Sequence, residues 1–163
     1  MVLEFRKIDL VRDAETCVCF RRDSYACSFR DLGRFDQECG ADGELYLNWL
    51  KEKAAEFPPG FAHVWLRDRI VGQVEMRPRG EPRIGYVNLF YLVPELRGSG
   101  AGASLQGYAV EVFQKDGVSK LQLSVSPSNE RAMAFYRKFG WEDLGARPDH
   151  PDVNLMELVL GEG

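Results

Sequence analysis

The sequence predicts a mixed α/β (α+β) fold in which one central sheet carries helices on both faces. The spacing of apolar residues switches several times between the two-residue repeat of strands and the 3.6-residue repeat of helices. One segment, 83–93 (RIGYVNLFYLV), is apolar at nearly every position of its second half, as expected for a central strand buried on both faces. Breaks at 58–60 (PPG), Gly117 and Gly140 separate the segments, and the resulting order is β-αα-βββ-α-β-α-ββ.

Each element is predicted from its local pattern. Runs of β-branched and aromatic residues bounded by turn residues predict strands at 2–8, 61–68, 69–77, 83–93, 120–125, 141–145 and 153–160. Residues 9–57 have helical spacing that is interrupted at Asp42-Gly43. Apolar residues at i, i+3 and i+4 predict two further amphipathic helices, around 105–113 and 132–139.

Length and composition describe an ordinary folded protein. The chain has 163 residues, and 21 basic against 25 acidic side chains leave a net charge of −4. We therefore expect one domain over residues 1–163 and no nucleic-acid partner, because binding to a long polyanion needs clustered cationic charge. The longest apolar run, Leu89 to Val93, is far shorter than the ~20 residues of a membrane helix, and the opening stretch contains acids. The sequence predicts a cytoplasmic protein without a membrane partner.

The cysteines and histidines do not form a metal-binding pattern. None of the cysteines has the C-x-x-C spacing of a zinc site; they are Cys17, Cys19, Cys27 and Cys39. His63 and His150 lie far from them in the sequence. We expect free thiols and no metal, although a cysteine nucleophile oriented by histidine stays open.

A glycine-rich loop, 94–102 (PELRGSGAG), lies between the buried strand and the following helix. Glycines allow positive φ and close backbone approach, so that successive N–H groups can point at one ligand oxygen. The helix N-terminus adds about half a positive charge at the same place. The loop therefore predicts an anion-binding site.

Several interpretations of this loop compete. Gly98-x-Gly100-x-x-Ala103 formally satisfies a dinucleotide fingerprint, but it lies two-thirds of the way along the chain, and no acid ends the next strand, 120–125. A P-loop would need a lysine after the glycines. A plain turn without a ligand is a further alternative.

The loop also resembles a known family signature. Arg97-x-x-Gly100-x-Gly102 is similar to the [Q/R]-x-x-G-x-[G/A] pattern of the GNAT superfamily of acyl-CoA-dependent N-acyltransferases. A second block farther along the chain, Asn129-x-x-Ala132-x-x-x-Tyr136-x-x-x-Gly140-Trp141, resembles that family's N-x-x-A-x-x-x-Y-x-x-x-G-[F/W]. The resemblance covers essentially the whole chain, with the first 60 residues matched only in pattern.

This resemblance implies a mostly antiparallel central sheet that is splayed between its middle strands, with acetyl-CoA as the co-substrate in the gap. Backbone groups near Leu92 and Val93 would pair with the pantetheine, an N–H near Tyr91 or Leu92 would stabilise the oxyanion, and the loop amides would hold the pyrophosphate. Asn129 is either a helix N-cap or a cofactor contact. The cofactor-binding residues so implied are Tyr91, Leu92, Val93, Arg97, Gly98, Ser99, Gly100, Ala101, Gly102 and Asn129.

Two catalytic residues are nominated. The resemblance implies that Tyr136 is the general acid that protonates the departing thiolate; the alternative is a core tyrosine on an apolar helix stripe. Glu75 is the candidate general base, and its alternative is a solvated carboxylate paired with Arg77. His63 is a weaker candidate for the base.

In this family the acceptor pocket is built from the first helices and the last hairpin. This nominates Tyr25, Phe29 and His150, together with Phe35, Asp36, Asp149 and Asp152. Residues 1–57 hold 9 basic and 12 acidic side chains, which favours a cationic or neutral acceptor.

The predicted function is transfer of an acetyl group from acetyl-CoA to a primary amine of a small molecule or a peptide, by direct attack through a tetrahedral intermediate. The alternative is a non-catalytic acyl-CoA-binding or sensor module of the same fold. A homodimer stays open, because relatives are often dimers and the last strand could offer an exposed edge.

Overall fold

In the computed structural model, residues 1–29 and 32–161 are described, and within them five helices surround a seven-stranded sheet. The helices are α1 (Ala14–Phe29), α2 (Leu32–Cys39), α3 (Glu44–Glu56), α4 (Ala101–Lys115) and α5 (Glu130–Lys138). The strands are β1 (Glu4–Lys7), β2 (Phe61–Leu66), β3 (Arg69–Arg79), β4 (Ile84–Leu92), β5 (Lys120–Val125), β6 (Glu142–Ala146) and β7 (Asn154–Val159).

The sheet has the order β1-β2-β3-β4-β5-β7-β6. Its neighbours pair antiparallel except for β4 and β5, which are parallel. These two strands pair only from Gly85↔Leu121 to Val87↔Leu123, although both continue beyond that point. The predicted mixed, mostly antiparallel sheet with a splay between its middle strands is confirmed.

The segment between β1 and β2 differs from the prediction. Its described residues form three helices where the pattern predicted two. Gly40 and Gly43 have φ values of +86° and +77°, and they separate α2 from α3. Such backbone angles are strained for residues with a Cβ, so the chain turns here, at the interruption that the sequence predicted at Asp42-Gly43. The additional division, between α1 and α2, falls at residues 30 and 31, which lie outside the described residues.

A β-bulge in the central strands decides which side chains face which helices. Glu75 pairs with Leu89, but Met76 pairs with Val87, so Asn88 is an extra residue in β4. On one face, the ring of Phe20 in α1 stacks on Tyr91 with ring centroids 4.5 Å apart. On the other face lies α4, whose Phe113 is so close to the sheet that a Cβ on Gly85 would lie 2.7 Å from its ring. The sheet is therefore covered on both faces, as predicted.

Candidate active site

A cleft opens where β4 and β5 separate. The last parallel pair is Val87↔Leu123, and the bulged residue Asn88 follows directly. The space beyond has a volume of about 690 Å³ and is lined by β4, β5, the glycine loop, α5 and the end of α1. The buried side-chain oxygen of Asn88, which lies at this cleft, has no hydrogen-bond partner among the described residues. Sequence reasoning missed Asn88, because a bulge depends on the register between two strands.

The glycine loop forms one end of the cleft. Gly98 and Gly100 have φ values of +79° and +92°, and Gly100 is the residue before α4. A Cβ on either glycine would meet no atom within 4 Å, so the backbone conformation is what requires glycine there. Gly102 differs, because a Cβ at this position would lie 2.7 Å from the ring of Phe135 in α5.

The loop N–H groups fall into two alternating sets. Those of Arg97, Ser99 and Ala101 donate to the Pro94 carbonyl, the Leu96 carbonyl and the Ser99 hydroxyl. In the described part of the chain, no hydrogen bond uses the N–H of Gly98, Gly100 or Gly102. The structure thus corrects the expectation that all six amides from 97 to 102 are available, and leaves three of them for an anion.

The side chain of Arg97 is held within the protein. Its guanidinium donates to the Leu92 carbonyl at 3.0 Å and to Asp23 in α1 at 2.7 Å. Tyr91 donates its hydroxyl to the same carboxylate at 2.6 Å. Burial raises the pKa of Asp23, but these two hydrogen bonds outweigh it and leave the pKa below its ordinary value. The cluster joins α1 to the end of β4.

The backbone of β4 presents alternate residues to the cleft. The N–H of Val93 donates to the Val71 carbonyl at 2.9 Å and is not free for the pantetheine, which corrects that part of the expectation. By strand alternation, the polar backbone groups of Tyr91 also face β3, whereas those of Phe90 and Leu92 face the open side. Leu92 and Phe90, rather than Tyr91, therefore present their N–H groups to the cleft.

Tyr136 and Asn129 line the opposite wall. Tyr136 is half-buried, its ring lies 5.6 Å from that of Trp141, and no hydrogen bond of the described residues involves its hydroxyl. Burial raises the pKa of Tyr136 above its ordinary value, so the phenol is protonated at neutral pH. Asn129 caps α5, because its side-chain oxygen accepts from the Ala132 N–H at 3.3 Å, and it lines the cleft as well.

Glu75 does not line the cleft. Its carboxylate is fully buried and accepts hydrogen bonds from the Tyr46 hydroxyl and from Gln73 Nε2, the latter at 2.6 Å. The guanidinium of Arg21 lies 4.0 Å from the carboxylate and donates to the Asn88 carbonyl at 3.2 Å. The alternative of a solvated carboxylate paired with Arg77 is wrong, because α1 and α3 cover this part of β3 and supply its partners.

His63 is buried at the far end of this network. Gln73 uses its Nε2 as a donor, so its Oε1 accepts from His63 Nε2–H at 2.7 Å. Nδ1 is then unprotonated, and it has no partner in the described chain. Burial lowers the pKa of His63, and protonation would leave an unpaired buried N–H. The Cys17 thiol lies 3.5 Å from Nε2, and burial raises the pKa of that thiol to about 12. A thiol with that pKa is a poor nucleophile.

None of the predicted acceptor residues, all of which the structure describes, lines the cleft. The ring of Tyr25 lies 5.6 Å from those of both Phe29 and Phe35, and Phe35 is fully buried in the core. Arg34 in α2 forms an ion pair with Asp152, which joins α2 to the β6–β7 loop. His150 on that loop is exposed. The part of α1 that lines the cleft is instead its last turns, at Ser24, Ala26, Cys27 and Ser28.

Among the described residues, no group of three or more histidine, cysteine or acidic side chains could hold a metal ion. No helix in the described part of the chain is both long and apolar enough to cross a membrane. The four cysteines, all of which the structure describes, are free thiols.

Comparisons with known proteins agree with this geometry. A protein of Schizosaccharomyces pombe named N-alpha-acetyltransferase 30 is 32% identical over 87 residues, which are 51% of this chain and 58% of that protein. The Bos taurus thialysine N-epsilon-acetyltransferase is 39% identical over 59 residues, 36% of this chain and 35% of that protein. The matches thus span about a third to somewhat over half of these relatives.

A solved structure shares the fold over nearly the full length. The PaiA N-acetyltransferase of Thermoplasma acidophilum, solved in complex with coenzyme A, superposes with a TM-score of 0.77 at 21% identity, covering 98% of this chain and 99% of that one. Residues 22–141 match the family model described as the acetyltransferase (GNAT) family, which is well over half of the chain. The protein belongs to the GNAT family of acetyltransferases.

Proposed function

We propose that this protein transfers an acetyl group from acetyl-CoA to a primary amine. The observation that carries the proposal is the cleft at the β4–β5 splay, which ends at three glycine N–H groups that have no acceptor among the described residues. An anion bound there would also face the N-terminus of α4, so little net positive charge is needed. The solved relative that holds coenzyme A supports the same choice of cofactor.

The cofactor would occupy the cleft along its length. Its pyrophosphate would accept from the N–H groups of Gly98, Gly100 and Gly102. Its pantetheine would run beside Phe90 and Leu92, whose outward N–H groups, with the Phe90 carbonyl, can pair with the pantetheine amides as an added strand would. The Leu92 carbonyl already accepts from Arg97. The thioester then lies near the bulge at Asn88, where β4 and β5 have just parted.

The reaction needs a hydrogen-bond donor for the oxyanion, an acid for the departing thiolate and an acceptor for the proton of the amine nitrogen. The neutral amine attacks the thioester carbon, a C–N bond forms, and the carbonyl oxygen becomes an oxyanion that an N–H of β4 stabilises. The C–S bond then breaks, and the thiolate takes the proton of the Tyr136 hydroxyl, which solvent later returns. The nitrogen gives up its extra proton to water.

Glu75 acts in this proposal through Arg21. The carboxylate is buried outside the cleft, so it does not touch the amine. Its charge faces the guanidinium that donates to the Asn88 carbonyl, and it thereby sets the position of the bulge. Glu75 is thus a positioning residue, and the predicted role as a direct base is not supported by its location.

The acceptor is proposed only as a primary amine. One relative is named as an N-alpha-acetyltransferase and another as a thialysine N-epsilon-acetyltransferase, and acetylation of an amine nitrogen is what the two names share. Since the chain spans only part of each relative, neither substrate is transferred to it.

Calorimetry and product analysis test the proposal. The protein should bind acetyl-CoA and release CoA in the presence of one or more amines from a panel of amino acids, peptides and diamines. Binding without CoA release from any amine would favour the non-catalytic module, and absence of binding would refute both functions.

Two glycine variants give a matched comparison. Gly100 and Gly117 both have positive φ, and a Cβ on either would meet no atom within 4 Å, but only Gly100 belongs to the loop. Alanine should cost each about 1 kcal/mol of stability through backbone strain. Only Gly100→Ala should also weaken acetyl-CoA binding, by about tenfold, because a shifted loop loses about one N–H to the pyrophosphate.

A further inference from the structure

Three arginines meet around one tyrosine on the α1 face of the sheet. The guanidinium of Arg79 lies over the Tyr86 ring, 3.5 Å from its centroid. Arg147, from the β6–β7 loop, donates to the Tyr86 hydroxyl at 3.3 Å and to Ser124 Oγ at 2.8 Å. Arg77 is the direct partner of Tyr86 in the β3–β4 register, so its side chain shares that face.

The charge of this arginine cluster is not balanced by the described residues. Arg147 forms a bidentate pair with Asp149. Neither Arg77 nor Arg79 forms an ion pair within residues 1–29 and 32–161, and the buried Nε of Arg77 has no hydrogen-bond partner there. Glu157, which lines the neighbouring groove with Arg79 and Glu81, accepts from Gln122 at 2.8 Å and lies 3.7 Å from Lys120. Two half-buried guanidinium groups are thus left without an ion pair among the described residues.

Half-buried guanidinium groups without an ion pair raise the free energy of the folded protein unless an anion binds to them. Burial lowers the pKa of Arg79, and the neighbouring guanidinium groups of Arg147 and Arg77 act in the same direction; Tyr86 and Asp149 oppose them but do not restore the ordinary pKa. A half-buried cation with unused donors is destabilising in the free protein and becomes favourable when an oxyanion pairs with it.

The arginine cluster borders the cleft. Ser124, which Arg147 contacts, lines the cleft and follows the last β4–β5 pair directly. Tyr86 precedes the bulged residue Asn88 by two positions, about 7 Å at the rise of a strand. A shallower groove of about 420 Å³, lined in part by Arg79 and Gln122, leads away on the far side. A small molecule could therefore place an anionic group at the arginine cluster and its amine at the bulge, with only a short chain of atoms between them.

We propose that the acceptor is a small amine that also carries a carboxylate or phosphate group, and that Arg77, Arg79 and Arg147 bind this anion. This inference rests on the proposed function, since it places the amine in the same cleft. The planar fork of arginine matches either oxyanion with two parallel hydrogen bonds. The inference reverses the expectation from residues 1–57, whose acidic balance favoured a cationic or neutral acceptor. The arginines next to Ser124 at the edge of the cleft, and not the average charge, would meet the acceptor.

Matched amines test the proposal. γ-Aminobutyrate is compared with butylamine, and O-phosphoethanolamine with ethanolamine, so that the two arms distinguish carboxylate from phosphate. For at least one pair, kcat/KM should be 10- to 100-fold higher for the anionic amine. In the Arg79→Gln and Arg77→Gln variants this ratio should fall towards 1, and Arg79→Lys should keep part of it. Arg83→Gln is the control, because Arg83 is exposed, pairs with Asp116 and should leave the ratio unchanged.

A binding measurement separates this inference from the proposed function. Calorimetry on the protein loaded with CoA should detect γ-aminobutyrate or O-phosphoethanolamine, with the affinity reduced at least tenfold by Arg79→Gln. If these amines bind in this way but no amine is acetylated, the anion site stands and the proposed transfer fails. If amines are acetylated with no preference for the anionic member, or if Arg79→Gln leaves the ratio unchanged, the inference is overturned and the transfer stands. If neither anionic amine binds, the inference is overturned as well.

Discussion

Replacing Tyr136 with phenylalanine removes one hydroxyl group from the wall of the cleft. If this hydroxyl protonates the departing thiolate, the variant loses general-acid catalysis while the ring still packs against Phe135 and Trp141. We expect kcat to fall while the affinity for acetyl-CoA stays within about twofold, because the loop and β4 supply the proposed cofactor contacts.

The size of the effect follows from the environment of the hydroxyl. General acid catalysis contributes roughly 10²–10⁴-fold, and a thiol with a pKa of about 8.5 is a fair leaving group, so we expect the lower end, about 10²-fold. Burial raises the pKa of Tyr136, so the phenol stays protonated and should add no inflection to kcat between pH 6 and 9. Because no described residue bonds to this hydroxyl, the free energy of unfolding should change by less than about 0.5 kcal/mol.

Tyr108→Phe is the matched control. Its hydroxyl donates to the Pro59 carbonyl at 2.7 Å, away from the cleft, so its loss should cost about 1 kcal/mol of stability and leave kcat unchanged. Chromatographic quantitation of CoA is the suitable assay, because a thiol reagent would also modify the exposed Cys19 and Cys27. An unchanged kcat in Tyr136→Phe would refute the assignment of the acid.

Three further predictions concern packing, buried charge and pH. Gly102→Ala should destabilise the protein by about 1–3 kcal/mol and weaken acetyl-CoA binding, because its Cβ would lie 2.7 Å from Phe135. Gly107→Ala, in the same helix, has open space and should stabilise the protein by up to about 1 kcal/mol. Urea unfolding measures both changes in stability. Glu75→Gln should cost about 3 kcal/mol by leaving Arg21 without its buried partner and should lower kcat. Glu111→Gln, at an exposed pair with Lys115, should cost less than about 1 kcal/mol and leave kcat unchanged. Because the pKa of His63 is lowered in the folded state, the unfolded chain takes up a proton first as the pH falls below about 6.5. The free energy of unfolding should therefore decrease from pH 7 towards the folded pKa. If the same decrease with pH persists in His63→Gln, His63 is not its cause.

Some features of the site could be predicted because they depend on neighbours in the sequence. The positive φ angles of Gly98 and Gly100 lie within one loop, and the sequence already indicated glycines that only such a turn requires. The position of Tyr136 on the cleft wall follows from the period of α5 and from a motif within a single helix. The strands were predicted within a few residues of their ends for the same reason.

Other features depended on contacts between distant segments. Alternation along β3 correctly placed Glu75 on one face, but it did not reveal that α1 and α3 would bury it with Arg21 and Tyr46. The bulge at Asn88 exists only in the register between two strands. Three glycine N–H groups of the loop lack an acceptor among the described residues because the loop oxygen atoms accept from the other three N–H groups instead.

The sequence by itself determined the order of elements, the glycine loop and the family, because these are encoded in periodicity, local backbone preference and two short motifs. Only the tertiary structure decided that Glu75 is buried outside the cleft and that Arg77 and Arg79, beside Tyr86, form no ion pair with another described residue. The physical reason is that burial and charge compensation are properties of the space between segments. Residues such as Arg77 and Arg147 lie 70 positions apart in the chain, yet they share one tyrosine as a neighbour in the fold.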